Sequence, residues 1–175
     1  MTDIGLIFRR MAQALRFDRD AYVWMDFEDR ASGDALLLVV VTRVLIQIGI
    51  GSPGGALGYA TAVLDALVFW LIVAGGTWAT ATHVLQGRTG YAYVMRLVGF
   101  GYPTLLLIIP TFQILSGAGI NPWPLGLLIG SIWLVFIVGH GMRYAVDFEL
   151  PKAIGSGLAG IMLYLIVASI LNLGF

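Results

Sequence analysis

From Ala35 onward the chain is a succession of apolar stretches, each close to the length of a lipid bilayer, joined by connections too short to be domains. A helix needs about 20 apolar residues to cross a hydrocarbon core of about 30 Å. Five stretches meet or approach that length, near residues 34–50, 57–85, 92–115, 123–142 and 153–174. Lipid offers backbone N–H and C=O groups no partner, so each stretch must be a helix that satisfies its own hydrogen bonds. The sequence therefore predicts an all-α membrane protein with five transmembrane helices. Hydrophobic residues make up 59% of the 175 positions and charged residues 11%, well outside the soluble range. One membrane domain over 34–175 follows, preceded by a segment, 1–33, of different character. The first long apolar run begins only at Ala35, so no cleaved leader is expected and the first span should itself direct insertion.

The hairpin from Gly75 to Pro110 sets the topology. It reads as the end of one span, the polar turn Gln86-Gly87-Arg88-Thr89-Gly90, and most of the next span. Arg9, Arg10, Arg16, Arg19 and Arg30 precede the first span, Arg88 and Arg96 flank the second connection, and Arg143 and Lys152 flank the fourth. Only an odd number of crossings gathers these cations on one side, which by the positive-inside rule is the cytoplasm. The N-terminus is expected inside, the C-terminus outside, and the protein in the cell membrane.

Within 1–33, the spacing of Ile4, Ile7, Phe8, Met11, Ala14 and Leu15 draws one apolar helical face, with Arg9, Gln13 and Arg16 opposite. This is the pattern of an amphipathic helix lying in the membrane interface, where it positions the first span or meets anionic lipid or a partner. Residues 18–34 mix six carboxylates with Tyr22, Trp24 and Phe27 and read as a polar, aromatic interface segment. Their spacing lacks a cation-loop pattern, and no metal site is expected.

Two charges fall deep within spans. An intramembrane charge is expensive unless it is paired or reaches water. Arg43 lies about 13 Å along the first span and Asp65 about 12 Å along the second from its opposite start. The two spans are joined by the short turn Gly51-Ser52-Pro53-Gly54-Gly55-Ala56, which makes them antiparallel neighbours, and an Arg43–Asp65 ion pair is expected. Asp65, Gly76 and His83 fall on one helical stripe that should face the interior. His83 and His140 should sit at similar depth beside Arg88, Arg96 and Arg143, in a basic layer suited to a lipid phosphate or an acidic partner. Solvated or hydrogen-bonded histidines are expected there, with no haem or other cofactor.

Small residues four apart, at Gly75/Ala79, Gly76/Thr80, Gly126/Gly130 and Ser156/Gly160, allow close helix approach. Pro103 and Pro110 predict kinks in the third span. Asn121-Pro122-Trp123-Pro124 supplies a cap, an early proline and an interface tryptophan for the start of the fourth.

The five spans, the hairpin and Gly99-Phe100-Gly101-Tyr102-Pro103 together resemble the Yip family, the Rab-GTPase-interacting membrane proteins and their prokaryotic relatives. The resemblance covers about residues 34–174 and is strongest over Gly76 to Pro110. It implies a five-helix bundle with a cytoplasmic N-terminus and no catalytic site. The acidic motif that eukaryotic members carry before the first span is absent, the nearest stretch being Trp24-Met25-Asp26-Phe27-Glu28, so the likeness is to prokaryotic-type members.

Catalytic classes find little support. The chain has no cysteine, hence no disulfide framework, thiolate zinc site or cysteine nucleophile. It has no phosphate-binding loop, no HExxH and no GxSxG. Two readings remain. The first is a non-enzymatic membrane scaffold or accessory subunit that binds lipids and other membrane proteins, or its own copies, with no nucleic-acid partner. The alternative is a small transporter or channel that uses Asp65, Arg43 and His83.

Overall fold

The computed structural model describes residues 4–51, 54–118 and 122–171. Among them the chain is a bundle of helices without strands. Two short helices come first, α1 (Ile4–Leu15) and α2 (Arg19–Phe27), followed by α3 (Ala31–Gly49) and α4 (Gly55–Ala79). The third long segment is broken into α5 (Tyr91–Gly101), a 3₁₀ stretch (Tyr102–Leu107) and α6 (Ile108–Leu115). Helices α7 (Trp123–Val146) and α8 (Leu150–Leu171) complete the fold. Five helical segments are long and apolar enough to cross a membrane: Ala31–Gly49, Gly55–Val84, Tyr91–Leu115, Pro124–Val146 and Leu150–Ile170. The expected Asn121 cap and the residues Ser52 and Pro53 of the first connection lie outside the described residues.

Inter-helix contacts give the directions. Trp70 Nε1 donates to the Met95 carbonyl at 2.7 Å and Trp78 Nε1 to the Thr89 carbonyl at 3.1 Å, so α4 and α5 run antiparallel. Gly99 touches Ala35 while Gly49 touches Ile109, so the first and third spans run parallel. Gly126 meets Ile108 and Gly141 meets Leu97, which sets α7 antiparallel to the third span. One end of the bundle, called here the near end, therefore carries α1, α2, the 85–90 connection and the turn between α7 and α8. The third span is the most enclosed of the five, because α3, α4 and α7 all pack on it.

The kink expected at Pro103 takes the form of the 3₁₀ stretch. Proline cannot donate to the preceding turn, and the buried Thr104 hydroxyl ties the loosened backbone down, shared between the carbonyls of Gly101 at 2.9 Å and Gly130 at 3.0 Å. Pro110 falls in the first turn of α6, where no amide donor is required.

Helices α4 and α8 cross with almost no side-chain spacer. A Cβ built on Gly76 would lie 2.9 Å from the Gly160 Cα, and one on Gly160 would overlap the Val73 carbonyl and the Thr77 hydroxyl. In lipid no hydrophobic force draws helices together, so this backbone approach and its dispersion contacts must hold the pair. Gly160→Val is therefore expected to cost about 1–3 kcal/mol through overpacking and to lower the midpoint of thermal unfolding in detergent. Gly155 meets nothing within 4 Å, and Gly155→Ala on the same helix should be neutral or slightly stabilising.

Candidate functional site

Among the described residues Arg96, near the start of the third span and 6% exposed, is a buried charge held by several hydrogen bonds. Its Nη1 donates to the carbonyls of Met25 at 2.8 Å and Asp26 at 3.3 Å. Its Nε reaches the Ser32 hydroxyl at 2.8 Å, and Nη2 meets Asp29 Oδ1 at 3.0 Å. Met25 and Asp26 belong to the last turn of α2, whose carbonyls have no helical partner and carry the negative end of the helix dipole. One guanidinium thus caps α2, holds the first turn of α3 and joins both to the third span. This corrects the sequence expectation for Arg96: its side chain is turned inward and saturated, and is not part of a basic layer open to lipid or partner. The cause is α2 itself, a helix not expected over 18–34. Asp18 caps it by accepting from the Asp20 amide at 3.0 Å, and it buries Ala21, Tyr22 and Met25.

The α1–α2 turn reaches well into the side of the bundle. Phe17, with φ 61°, lies 5.5 Å from the Trp133 ring and 4.5 Å from the His140 ring. The Tyr22 hydroxyl donates to the Ala14 carbonyl at 2.9 Å and so closes the helix pair. Burial, with Tyr144 and Asp18 adding to it, keeps this phenol protonated well above its ordinary range. Arg10 Nη1 donates to Gln13 Oε1, and its guanidinium covers the Trp24 ring at 5.4 Å. On α1, Ile7 and Ala14 are buried and Met11 and Leu15 half-buried, whereas Ile4, Phe8, Arg9 and Arg16 are exposed. The apolar face is therefore spent partly on the protein itself.

The remaining near-end residues are dispersed in role. Arg88 and Arg143 are exposed. His140 is half-buried against Phe17, its Nδ1 2.9 Å from the Phe136 carbonyl. His83 is exposed and edge-on to Trp78 at 5.4 Å, which corrects its placement on an interior stripe with Asp65 and Gly76. The reason is the π-helical turn Thr80–Val84 that ends the second span. Its i→i+5 bond, Leu85 amide to Thr80 carbonyl at 2.9 Å, breaks the 3.6-residue phase on which that stripe depends.

Arg43 and Asp65 do come to one place. Both line a cavity of about 40 Å³ in the far half of the bundle, together with Tyr102 and Tyr164. Arg43 Nε donates to the Ala62 carbonyl at 3.2 Å, on the Asp65 helix and one turn before it. Tyr102 and Tyr164 lie within electrostatic reach of both charges. Phe69 stands between the tyrosines, edge-on to Tyr164 at 4.6 Å and to Tyr102 at 5.7 Å. The cavity has room for a few water molecules, and its polar groups include hydrogen-bond donors and acceptors in balanced charge. Sequence reasoning missed both tyrosines. A lone tyrosine in the apolar run of α8 was the available signal, since a buried phenol needs a polar partner.

No protein-family model, curated protein or solved structure matches the chain.

Two outcomes follow from the near-end geometry. Arg96→Gln leaves the α2 carbonyls unsatisfied and should cost about 2–4 kcal/mol, read as a lower unfolding midpoint and faster tryptic cleavage after the exposed Arg30. Arg96→Lys keeps the charge but not the fork and should recover only part of the loss. Tyr22→Phe should cost about 1 kcal/mol near neutral pH through the lost hydrogen bond. A raised folded-state pKa contributes stability below the unfolded value near 10 and loses it as pH rises beyond. The gap between Tyr22→Phe and the parent should accordingly shrink in alkaline unfolding experiments.

Proposed function

We propose that this protein is a non-enzymatic integral membrane scaffold or accessory subunit, akin to prokaryotic Yip-type proteins, that binds lipid and other membrane proteins in the cell membrane. The observation that carries this reading is the contrast between its two kinds of surface. The intramembrane charges Arg43 and Asp65 share a cavity too small for a continuous polar path. The lateral face between α7 and α8, by contrast, presents two almost wholly apolar grooves of about 300 and 350 Å³. Such a face suits lipid chains or a neighbouring helix. On this reading Arg43 and Asp65 hold the first two spans together as an ion pair. The exposed start of α1, with Ile4, Phe8 and Arg9, lies in the cytoplasmic membrane interface, where Arg88 and Arg143 add contacts to anionic headgroups or an acidic partner, whereas Arg16 adjoins the turn that docks midway along α7.

The cavity with its two charges and two tyrosines also favours a second reading, a small transporter or channel. The readings part on flux. For the scaffold, Asp65→Asn in proteoliposomes leaves ion permeability at the background of empty vesicles, as does the parent protein, and purification in mild detergent retains a stoichiometric membrane partner or a homo-oligomer. An ion-dependent flux carried by the parent and abolished by Asp65→Asn would replace the scaffold with a transporter.

Orientation has its own test, because the chain contains no cysteine. A membrane-impermeant maleimide applied to intact cells should label Gly117→Cys, at the far end, and spare Glu149→Cys, at the near end, until the cells are opened. The reverse pattern would invert the topology.

A further inference from the structure

The polar cavity and the lateral grooves are not separate features. Phe69, Leu127 and Tyr164 line both the cavity and the first groove, and Leu128, Ser131, Ile161 and Leu165 line both the first groove and the second. We propose that together they form one binding site for a single-chain neutral lipid, its small hydroxyl-bearing head in the Arg43/Asp65/Tyr102/Tyr164 cavity and its acyl chain along α7 and α8. A monoacylglycerol is the simplest member of that class. The proposal rests on the reading of the α7–α8 face as lipid-facing and specifies what that face receives.

Length, charge and depth select this occupant. From Leu127, which it shares with the cavity, the groove follows α7 to Phe136, about 13 Å at the helical rise, so it accommodates one chain laid parallel to the helices and running inward from the head. Ser131 is the one polar side chain among the residues that line both grooves. At the head end the charges of Arg43 and Asp65 cancel. An anionic head that gains from Arg43 meets Asp65, and a cationic head meets the reverse. A vicinal diol satisfies both, donating to the Asp65 carboxylate and accepting from the Arg43 guanidinium or a tyrosine hydroxyl. Arg43 lies six residues, about 9 Å, inside the far end of α3. A phosphodiester would have to leave the interface to reach it, and burying that charge is costly. An uncharged head enters at much smaller cost.

The test uses the full-length protein, delipidated in detergent, with 1-palmitoylglycerol, palmitic acid and phosphatidylglycerol as probes in native mass spectrometry and thermal-shift titrations. Expected is retention of 1-palmitoylglycerol at least tenfold tighter than either other probe. Tyr164→Phe and Asp65→Asn should each weaken it about tenfold, the equivalent of one lost hydrogen bond to a charged or buried partner. Leu128→Trp, at an exposed groove wall, should block chain entry without entering the core, and serves where Asp65→Asn does not fold. Equal retention of all three probes, or unchanged binding in both Tyr164→Phe and Leu128→Trp, would overturn the site. The site and the scaffold reading fail separately. Loss of lipid selectivity with the partner complex intact removes this site alone, whereas an Asp65-dependent flux removes the scaffold and leaves the lipid titrations to stand or fall on their own outcome.

Discussion

A guanidinium withdrawn from water must find its hydrogen bonds elsewhere, and the way Arg96 does so governs the near end of the fold. Five N–H donors in a rigid fork suit several carbonyl and carboxylate acceptors at once. Arg96 finds them at the last turn of α2, in Ser32 at the first turn of α3 and in Asp29 between them. The contact with Asp29 contributes little by itself, because that carboxylate is fully in solvent. The carbonyls of α2 matter more, since that of Met25 is buried and would otherwise have no helical partner. With α2 so docked, the turn after α1 is drawn to α7, and Phe17 settles between Trp133 and His140. A segment that composition would leave on the membrane surface becomes part of the bundle.

The spans were legible in the sequence because they rest on a coarse physical quantity, apolar length, which local detail barely perturbs. The expected 57–85 and 92–115 differ little from Gly55–Val84 and Tyr91–Leu115. Small-residue spacing was informative at Gly76, Gly126, Gly130 and Gly160, which all lie where another helix touches backbone, but not at Gly75, which meets only the Tyr91 ring at 4.0 Å. What failed depended on phase and on polar partners. The interior stripe through His83 presumed 3.6 residues per turn, and the π turn at Thr80–Val84 broke that count within the last turns of the helix. Arg96 read as a cation flanking a turn, since nothing local announces that a helix 70 residues earlier ends against it. Its acceptors are mainly main-chain carbonyls, which carry no sequence signature. Helix α2 was hidden among carboxylates, although Asp18 followed by Ala21, Tyr22 and Met25 was a readable cap and buried face.

The third span shows how a membrane bundle is kept compact without hydrophobic drive. It lies among three other spans, and it is also the segment whose helical hydrogen bonding is interrupted, over Tyr102–Leu107. Irregular backbone at membrane depth is tolerated only where protein encloses it. Enclosure and irregularity therefore belong together: Gly101 and Gly130 let α7 approach the 3₁₀ stretch closely enough for Thr104 to bridge to it, and that bridge ties the irregular stretch to its neighbour. The same local change directs Tyr102 into the cavity with Arg43 and Asp65. The device that seals the backbone also furnishes the cavity with a hydroxyl.

Opposite charges at mid-span set the chemical character of whatever meets this bundle from the side. Arg43 alone would favour anions and Asp65 alone cations, each at a desolvation cost that lipid makes severe. Placed around one small cavity with two phenols, they form a neutral, strongly dipolar end to an otherwise aliphatic groove. Such a site discriminates through hydrogen-bond geometry more than through net charge, since an occupant with donors and acceptors adds bonds that are strong in a low-dielectric surround. A purely apolar neighbour, whether an alkyl chain or a leucine-rich helix, can cover the α7–α8 groove but cannot complete the cavity. Selectivity at this face is accordingly expected to reside in Asp65, Tyr102 and Tyr164, and the aliphatic wall to supply affinity with little preference of its own.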